Sequence, residues 1–224
     1  AHTLGLNHDG RLPRRFPGIF YPKEEYFSGH NLWGAIMGAP YSRLIPQWSK
    51  GEYNFANNKE DDISIILQKK GILLRTDMAG ESTLTAMSLL PTGGQIKYAG
   101  IIETALDKDV FRISTGKTRL SINVESFTSV NGGRGMLNIA ARIFDKNGRT
   151  LATSSPNSTD TNPNIDAPFS DISVETGTYF IEVDGVGDGD PGLTGYNDYS
   201  SIGSYTLKVG GLVAIPPTPT PTHT

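Results

Sequence analysis

The sequence predicts an α+β segment over residues 1–71, then an all-β, jelly-roll-like antiparallel sandwich over 72–212, then a Pro/Thr-rich linker over 213–224. Three observations predict it. Before residue 71 the best-marked apolar pattern has helical spacing; from Gly71 to Leu212 the apolar period is two; and after Ile215 proline and threonine alternate.

Composition agrees with that division. Among 224 residues there are 26 glycines and few long helix-forming runs, a mixture that favours strands and turns over a helical bundle. The formal charge is only −3 with both signs scattered, so no case arises for nucleic acid or a charged membrane surface. No apolar run approaches the ~20 residues that cross a bilayer as a helix. The absence of cysteine excludes disulfides and thiolate chemistry without fixing the compartment. The chain opens at Ala1-His2-Thr3 with no signal peptide, and reads as an internal piece of a longer protein.

Each element follows from local chemistry. In the first segment an irregular loop, Arg11 to Tyr26, leads to a Gly-rich turn around Met37. A helix is expected next, capped by Asn57 or Asn58, with Glu60, Asp61 and Asp62 in its first turn. Ile63, Ile66 and Leu67 form its apolar face, and Lys69-Lys70-Gly71 its stop. Alternating runs then appear at Val110–Ser114, Leu120–Val124, Leu137–Ile143, Tyr179–Val183 and Tyr205–Val209. Asp145-Lys146-Asn147-Gly148 between two of them suits a type I′ hairpin turn. The stretches Gly177–Val183 and Gly203–Val209 share a Gly-x-Tyr-x-apolar-x-Val pattern and are expected to be core strands with similar roles. Pro216 to Thr222 favours extended polyproline II, a stiff spacer to a further C-terminal segment.

His2-Thr3-Leu4-Gly5-Leu6-Asn7-His8-Asp9 carries the most chemistry. A catalytic zinc wants three protein ligands and an open position for water. A glycine three residues past a helix-borne histidine accepts the left-handed conformation, so the chain can swing and return a histidine from the loop. A His-x5-His pair also arises by chance in loops; Gly5, Leu4, Leu6 and Asp9 around this one favour ligation by His2 and His8. Met37, within Trp33-Gly34-Ala35-Ile36-Met37-Gly38-Ala39-Pro40, sits at the centre of a turn of small residues.

These residues resemble the latter half of the metzincin motif H-E-x-x-H-x-x-G-x-x-H in its reprolysin-like form, with Met37 as the methionine turn. The stretches Glu25–His30, Gln47–Tyr53 and Asn57–Asp62 are similar to a bacterial branch of those zinc proteases. The resemblance implies a secreted, extracellular zinc metallopeptidase acting on protein or peptide, of which residues 1–71 are the C-terminal part of the catalytic domain. It places the first histidine and the glutamate base before Ala1, so no catalytic residue is expected within this chain, and the chain alone is expected to be inactive. His30 is expected to be structural or exposed. Tyr41 lies four residues after Met37, a spacing that departs from the tyrosine of some metzincins.

Residues from about Gly94 to Leu212 resemble a bacterial pre-peptidase C-terminal domain, through Asp107-Lys108-Asp109-Val110-Phe111-Arg112-Ile113, the Gly-x-Tyr strands, and Gly187–Pro191 with Gly195–Tyr199. In the acidic loop Asp184, Asp188 and Asp190 could surround calcium, or form a solvated Asp-Gly turn. Tyr196 and Tyr199 are open between core and a binding face, and Tyr205 is expected in the core. Beside the peptidase stands a second reading from another class: a non-catalytic extracellular binding or adhesion module built on the sandwich.

Overall fold

A computed structural model describes residues 1–69, 71–129, 135–155 and 165–217. Of the expected linker, residues 213–217 form no regular element, and 218–224 lie outside the described residues.

The first seventy residues are not an α+β segment. After a single 3-10 turn at His2–Leu4 they hold short strand pairs: β1 (Arg14–Phe16) with β2 (Ile19–Tyr21), antiparallel, and β3 (Trp33–Ala35) with β4 (Ile45–Gln47), parallel. The one α-helix among the described residues, α1, runs only from Asp62 to Leu67. Glycine and proline interrupt this stretch every few residues, from Gly5 through Pro13, Pro17 and Gly29 to Pro46 and Gly51. No helical face can propagate between such breaks. The cap of α1 is Asp61, whose side chain accepts from Ser64 N, whereas Asn58 takes the amide of Glu60 one turn earlier. The helix's fully buried residue is not one of its isoleucines but Asp62.

The rest is the expected sandwich. After β5 (Met87–Ser88) come β6 (Ile96–Ile102), β7 (Lys108–Thr115), β8 (Thr118–Ser126), β9 (Ile139–Asp145), β10 (Thr150–Ser154), β11 (Ala167–Val174), β12 (Gly177–Gly185) and β13 (Gly203–Gly210). They form two sheets, β10-β9-β12-β7-β5 and β11-β8-β13-β6, antiparallel throughout except where β5 joins β7. The order of β6 to β13 across the two sheets is that of a jelly roll. The Gly-x-Tyr strands β12 and β13 occupy interior positions, one in each sheet, which explains their shared pattern. Phe111, Ile113, Ile143, Ile181 and Val183 from one sheet meet Leu120, Ile122, Val124, Leu207 and Val209 from the other in one core. Leu137, expected in a strand, is buried in that core just before β9 begins.

The β9–β10 hairpin differs from the expected type I′ turn. Gly148 alone has positive φ, at 81°, and its amide bonds Asp145 O at 2.9 Å. The Asp145 carboxylate accepts from the amides of Asn147 and Arg149, which favours a three-residue loop with glycine in the left-handed position.

One polar contact crosses this apolar core. Tyr205 donates its hydroxyl to Oδ2 of Asp109, while Oδ1 of Asp109 is buried without a partner. Burial pushes the Asp109 carboxyl up to about 7. The folded state therefore holds a proton that the unfolded state releases near its ordinary value of 3.8. That contribution to stability is full below the unfolded value and is lost as pH rises through 7. The thermal midpoint is expected to be higher at pH 5 than at pH 8, and Asp109→Asn should reduce the difference, the rest coming from other raised carboxyls such as Asp9. An unchanged pH profile in that variant would refute the assignment.

Candidate functional site

The His2–Leu4 turn ends at Gly5, which adopts φ 89° and ψ 14°, the left-handed cap that a Cβ disfavours. The reversal brings the two imidazoles face to edge, with ring centroids 4.5 Å apart and Nε2 of His2 2.7 Å from Nε2 of His8. Nδ1 of His2 lies 2.8 Å from Leu6 O. A carbonyl only accepts, so Nδ1 carries the hydrogen and Nε2 of His2 presents a lone pair toward His8. The Tyr26 ring lies 4.4 Å from that of His8.

The histidine loop is held from two sides. Glu60 accepts from Asn7 N at 3.0 Å and from Asn7 Nδ2 at 2.5 Å, next to His8 in the chain. Slight burial opposes it, but these bonds, with one from Asn58, keep the Glu60 carboxyl below its ordinary range. On the other side Asp9 N donates to Met37 O at 2.9 Å, and Phe27 N to Asp9 O at 2.7 Å. Met37 is buried in the turn closed by Gly38 N to Ala35 O. The turn around Met37 is thus joined by a backbone bond to Asp9, next to His8 in the chain.

Beneath them lie two carboxyls that the sequence reading did not single out as site residues. Asp9 and Asp62 are buried, and each has one oxygen without a partner. Burial, and then the charge of Asp62, raises Asp9 to about 7; burial raises Asp62 to about 6 against the bond from Ser49 N. A run of acids at 60–62 was the available signal, but nothing in it marks which member turns inward.

His30 belongs to an aromatic cluster. Its ring lies 5.7 Å from Phe27 and 5.5 Å from Trp33, and burial followed by the charge of Arg11 lowers its pKa. Tyr41 is 95 % exposed, so nothing holds it toward the histidines.

That cluster is completed by the sandwich. Phe27, Trp33, Ile45 and Tyr53 pack with Ile165 and Tyr196 in one buried core. Tyr196 stacks on Trp33 with the rings 7° from parallel, and its hydroxyl accepts from Asn138 Nδ2. Tyr199 OH accepts from Ile63 N and donates to Asp61 Oδ1 at the start of α1. Asn197 Nδ2 donates to Glu52, and Gln47 Nε2 to Met136 O. Tyr196 and Tyr205 are therefore interior, and the hydroxyl of half-buried Tyr199 is committed to α1.

In the acidic loop the three aspartates have separate tasks. Asp184 pairs with Lys108 at 2.7 Å, Asp188 exchanges backbone bonds with Tyr196, and Asp190 Oδ1 accepts from Gly192 N. The one group of three potential metal-ligating side chains among the described residues is elsewhere, at Asp77, Glu103 and Asp107.

No helix among the described residues is long and apolar enough to cross a membrane. No family model matches the chain, and no curated protein does. Solved structures do. The pre-peptidase C-terminal domain of a collagenase from Bacillus anthracis aligns with 60 % of this chain and 97 % of its own, at 15 % identity and a TM-score of 0.33. PliG, a periplasmic inhibitor of g-type lysozyme from Salmonella Typhimurium, aligns with 57 % of this chain and 99 % of its own, at 13 % identity and a TM-score of 0.31. The described residues themselves form a jelly-roll sandwich that carries two converging imidazoles on its N-terminal side.

Proposed function

We propose that this chain is a non-catalytic β-sandwich module joined to part of a zinc peptidase centre, which becomes active only when a third ligand and a carboxylate base are supplied from outside these residues. The observation that carries the reading is the convergence of His2 Nε2 and His8 Nε2 at 2.7 Å, with Nδ1 of His2 bound to Leu6 O. The donor set fits zinc. A carbonyl on the far nitrogen fixes the tautomer that ligation needs. Two nitrogens on one tetrahedral zinc, with bonds of about 2.0–2.1 Å, stand roughly 3.4 Å apart. At 2.7 Å the pair instead shares a hydrogen bond, so binding would spread the rings slightly and move the His8 hydrogen from Nε2 to Nδ1. Zinc held there would polarise a scissile carbonyl and acidify bound water. The chain's own residues orient the imidazoles: Asn7 and Glu60 fix the loop on one side, and Met37 O fixes Asp9 on the other. An extracellular location and a protein or peptide substrate belong to the same reading.

The test is cobalt or zinc titration of the isolated chain and of one extended at its N-terminus by a His-Glu-bearing segment. The isolated chain is expected to bind weakly, lose binding in His8→Ala, and leave a casein substrate intact. The extended chain is expected to bind tightly and cleave it. Turnover by the isolated chain, or no metal affinity in the extended one, would refute the proposal.

A second reading, a binding or adhesion module with incidental histidines, is supported by a groove of about 910 Å³ along the four-stranded sheet, where Leu90 and Phe169 lie between Lys97, Asn123 and Lys208. Under it the extended chain stays inactive, and ligand capture survives alanine at both histidines.

A further inference from the structure

Residues 11–23 carry Arg11, Arg14, Arg15 and Lys23 and no acid, although charge over the whole chain is scattered. Between Arg15 and Lys23 lies Phe16-Pro17-Gly18-Ile19-Phe20-Tyr21-Pro22, a run without a charged side chain. The stretch folds as the β1–β2 hairpin, in which Arg14 faces Tyr21, Arg15 faces Phe20 and Phe16 faces Ile19. Pro17-Gly18 makes the turn. Proline fixes its own φ and Gly18 takes φ 76°, the combination that a type II turn requires. The base is fixed too: Arg11 and Glu24 exchange backbone bonds of 2.8 and 3.0 Å, and Leu12 N donates to Phe55 O. The hairpin is therefore a stiff projection.

Neither face of it is buried. Side chains alternate across a strand, so Arg14, Phe16, Ile19 and Tyr21 share one face and Arg15 and Phe20 the other. Phe16, Ile19 and Phe20 are each at least half exposed, and Tyr21 is exposed as well. Phe55, at the foot of the hairpin, holds φ 62°, a conformation that costs a bulky residue free energy, and sets its ring edge-on to Phe16 at 6.3 Å. Water is a poor solvent for such a ribbon, and a flat protein partner would cover only one of its faces. A medium that surrounds the tip covers both. The cations stand on the rungs farther from the turn. Arg14 lies over the Tyr21 ring at 4.5 Å and Arg15 over that of Phe20 at 5.2 Å, so each stem runs along apolar surface. Arg14 also pairs with Glu24 and Lys23 with Glu25, whereas Arg15 has no ion pair among the described residues.

We propose that the β1–β2 hairpin inserts its tip into the interfacial layer of a membrane surface rich in anionic lipid, with Phe16, Ile19 and Phe20 immersed and Arg15 against headgroup phosphate. The apolar tip supplies the partitioning, and the flanking cations supply the preference for negative headgroups. Tyr21, on the rung farthest from the turn, stands at the depth where an amphipathic ring is favoured. This holds whether or not the two histidines bind zinc.

The experiment is co-sedimentation of the 224-residue chain with vesicles of equal parts phosphatidylcholine and phosphatidylglycerol, beside vesicles of phosphatidylcholine alone. Expected is saturable binding to the anionic vesicles, weaker on the neutral ones and reduced by salt. Phe16→Ser combined with Phe20→Ser should weaken it by about tenfold or more, since each ring leaves water on binding. Arg15→Glu should cost roughly tenfold on anionic vesicles and little on neutral ones. All three positions are exposed, so the thermal midpoints should match that of the unsubstituted chain. Ile19→Trp reports the depth: its emission should shift to the blue on vesicles and be quenched by brominated acyl chains. Absence of binding to anionic vesicles, binding that survives the paired serine substitutions, or a tip tryptophan that brominated lipid leaves unquenched would each overturn the proposal. So would a lipid-free dimer, seen by sedimentation velocity, that the same serine substitutions dissociate, because a second copy would then cover the ribbon.

Discussion

Truncation of Phe111 to alanine is expected to destabilise the chain by about 3–5 kcal/mol, the range for deleting a large buried aromatic. Phe111 has no exposed surface, lies opposite Ile181 on β12 and Met87 on β5, and packs on the Tyr98 ring at 4.9 Å between centroids. Neighbours on interior strands cannot close the void, because both sheets are fixed by their ladders. Against a total stability of about 5–15 kcal/mol this is a large fraction. Urea unfolding should show a lower midpoint with an unchanged slope. A loss below about 1 kcal/mol would mean that the two sheets do not share one core at this point.

The second large effect concerns Tyr196, a residue of the sandwich whose ring lies in the core of the first segment. Tyr196→Ala removes the stack on Trp33 and leaves Asn138 Nδ2 buried without its acceptor. A loss of about 3–5 kcal/mol is expected from the ring alone, as for other large buried aromatics. Because Trp33 and Phe27 share that core, and Phe27 N is bound to Asp9 O beside His8, loosening it should also weaken cobalt binding at the histidines. The expected size is about 10–100-fold, as for other groups that orient metal ligands. Tyr196→Phe keeps the ring and should cost only about 1–3 kcal/mol, the penalty of the orphaned amide, with cobalt affinity nearly retained. If Tyr196→Ala destabilises the chain and leaves cobalt affinity unchanged, the sandwich does not position the histidines.

Much of the sandwich was legible because strand patterning is local. In Val110–Ser114 and Tyr205–Val209 alternate residues point to opposite faces, and a period of two follows whatever the partner strand. Gly5 was legible for a similar reason, since the conformation it adopts is one that other residues avoid. The first segment is not the α+β unit that the short amphipathic run at Asp62–Leu67 suggests, because glycines and prolines surround that run. A six-residue helix is below the length at which propensity sustains itself, so its neighbours decide its extent. The Asn-Gly hairpin failed on competition: the Asp145 carboxylate binds the turn amides and selects another geometry.

By itself the sequence determined the alternating strands, the turn at Gly5 and the grouping of His2, Gly5 and His8, all set by residues within a few positions of one another. Only the tertiary structure decided that Tyr196 belongs to the core of Phe27 and Trp33, that Asp9 and Asp62 turn inward, and that Asp77 meets Glu103 and Asp107. Those outcomes depend on which surfaces the two sheets leave open once paired. Side-chain chemistry tells what a residue prefers, whereas burial and the removal of water come from segments far away in the chain.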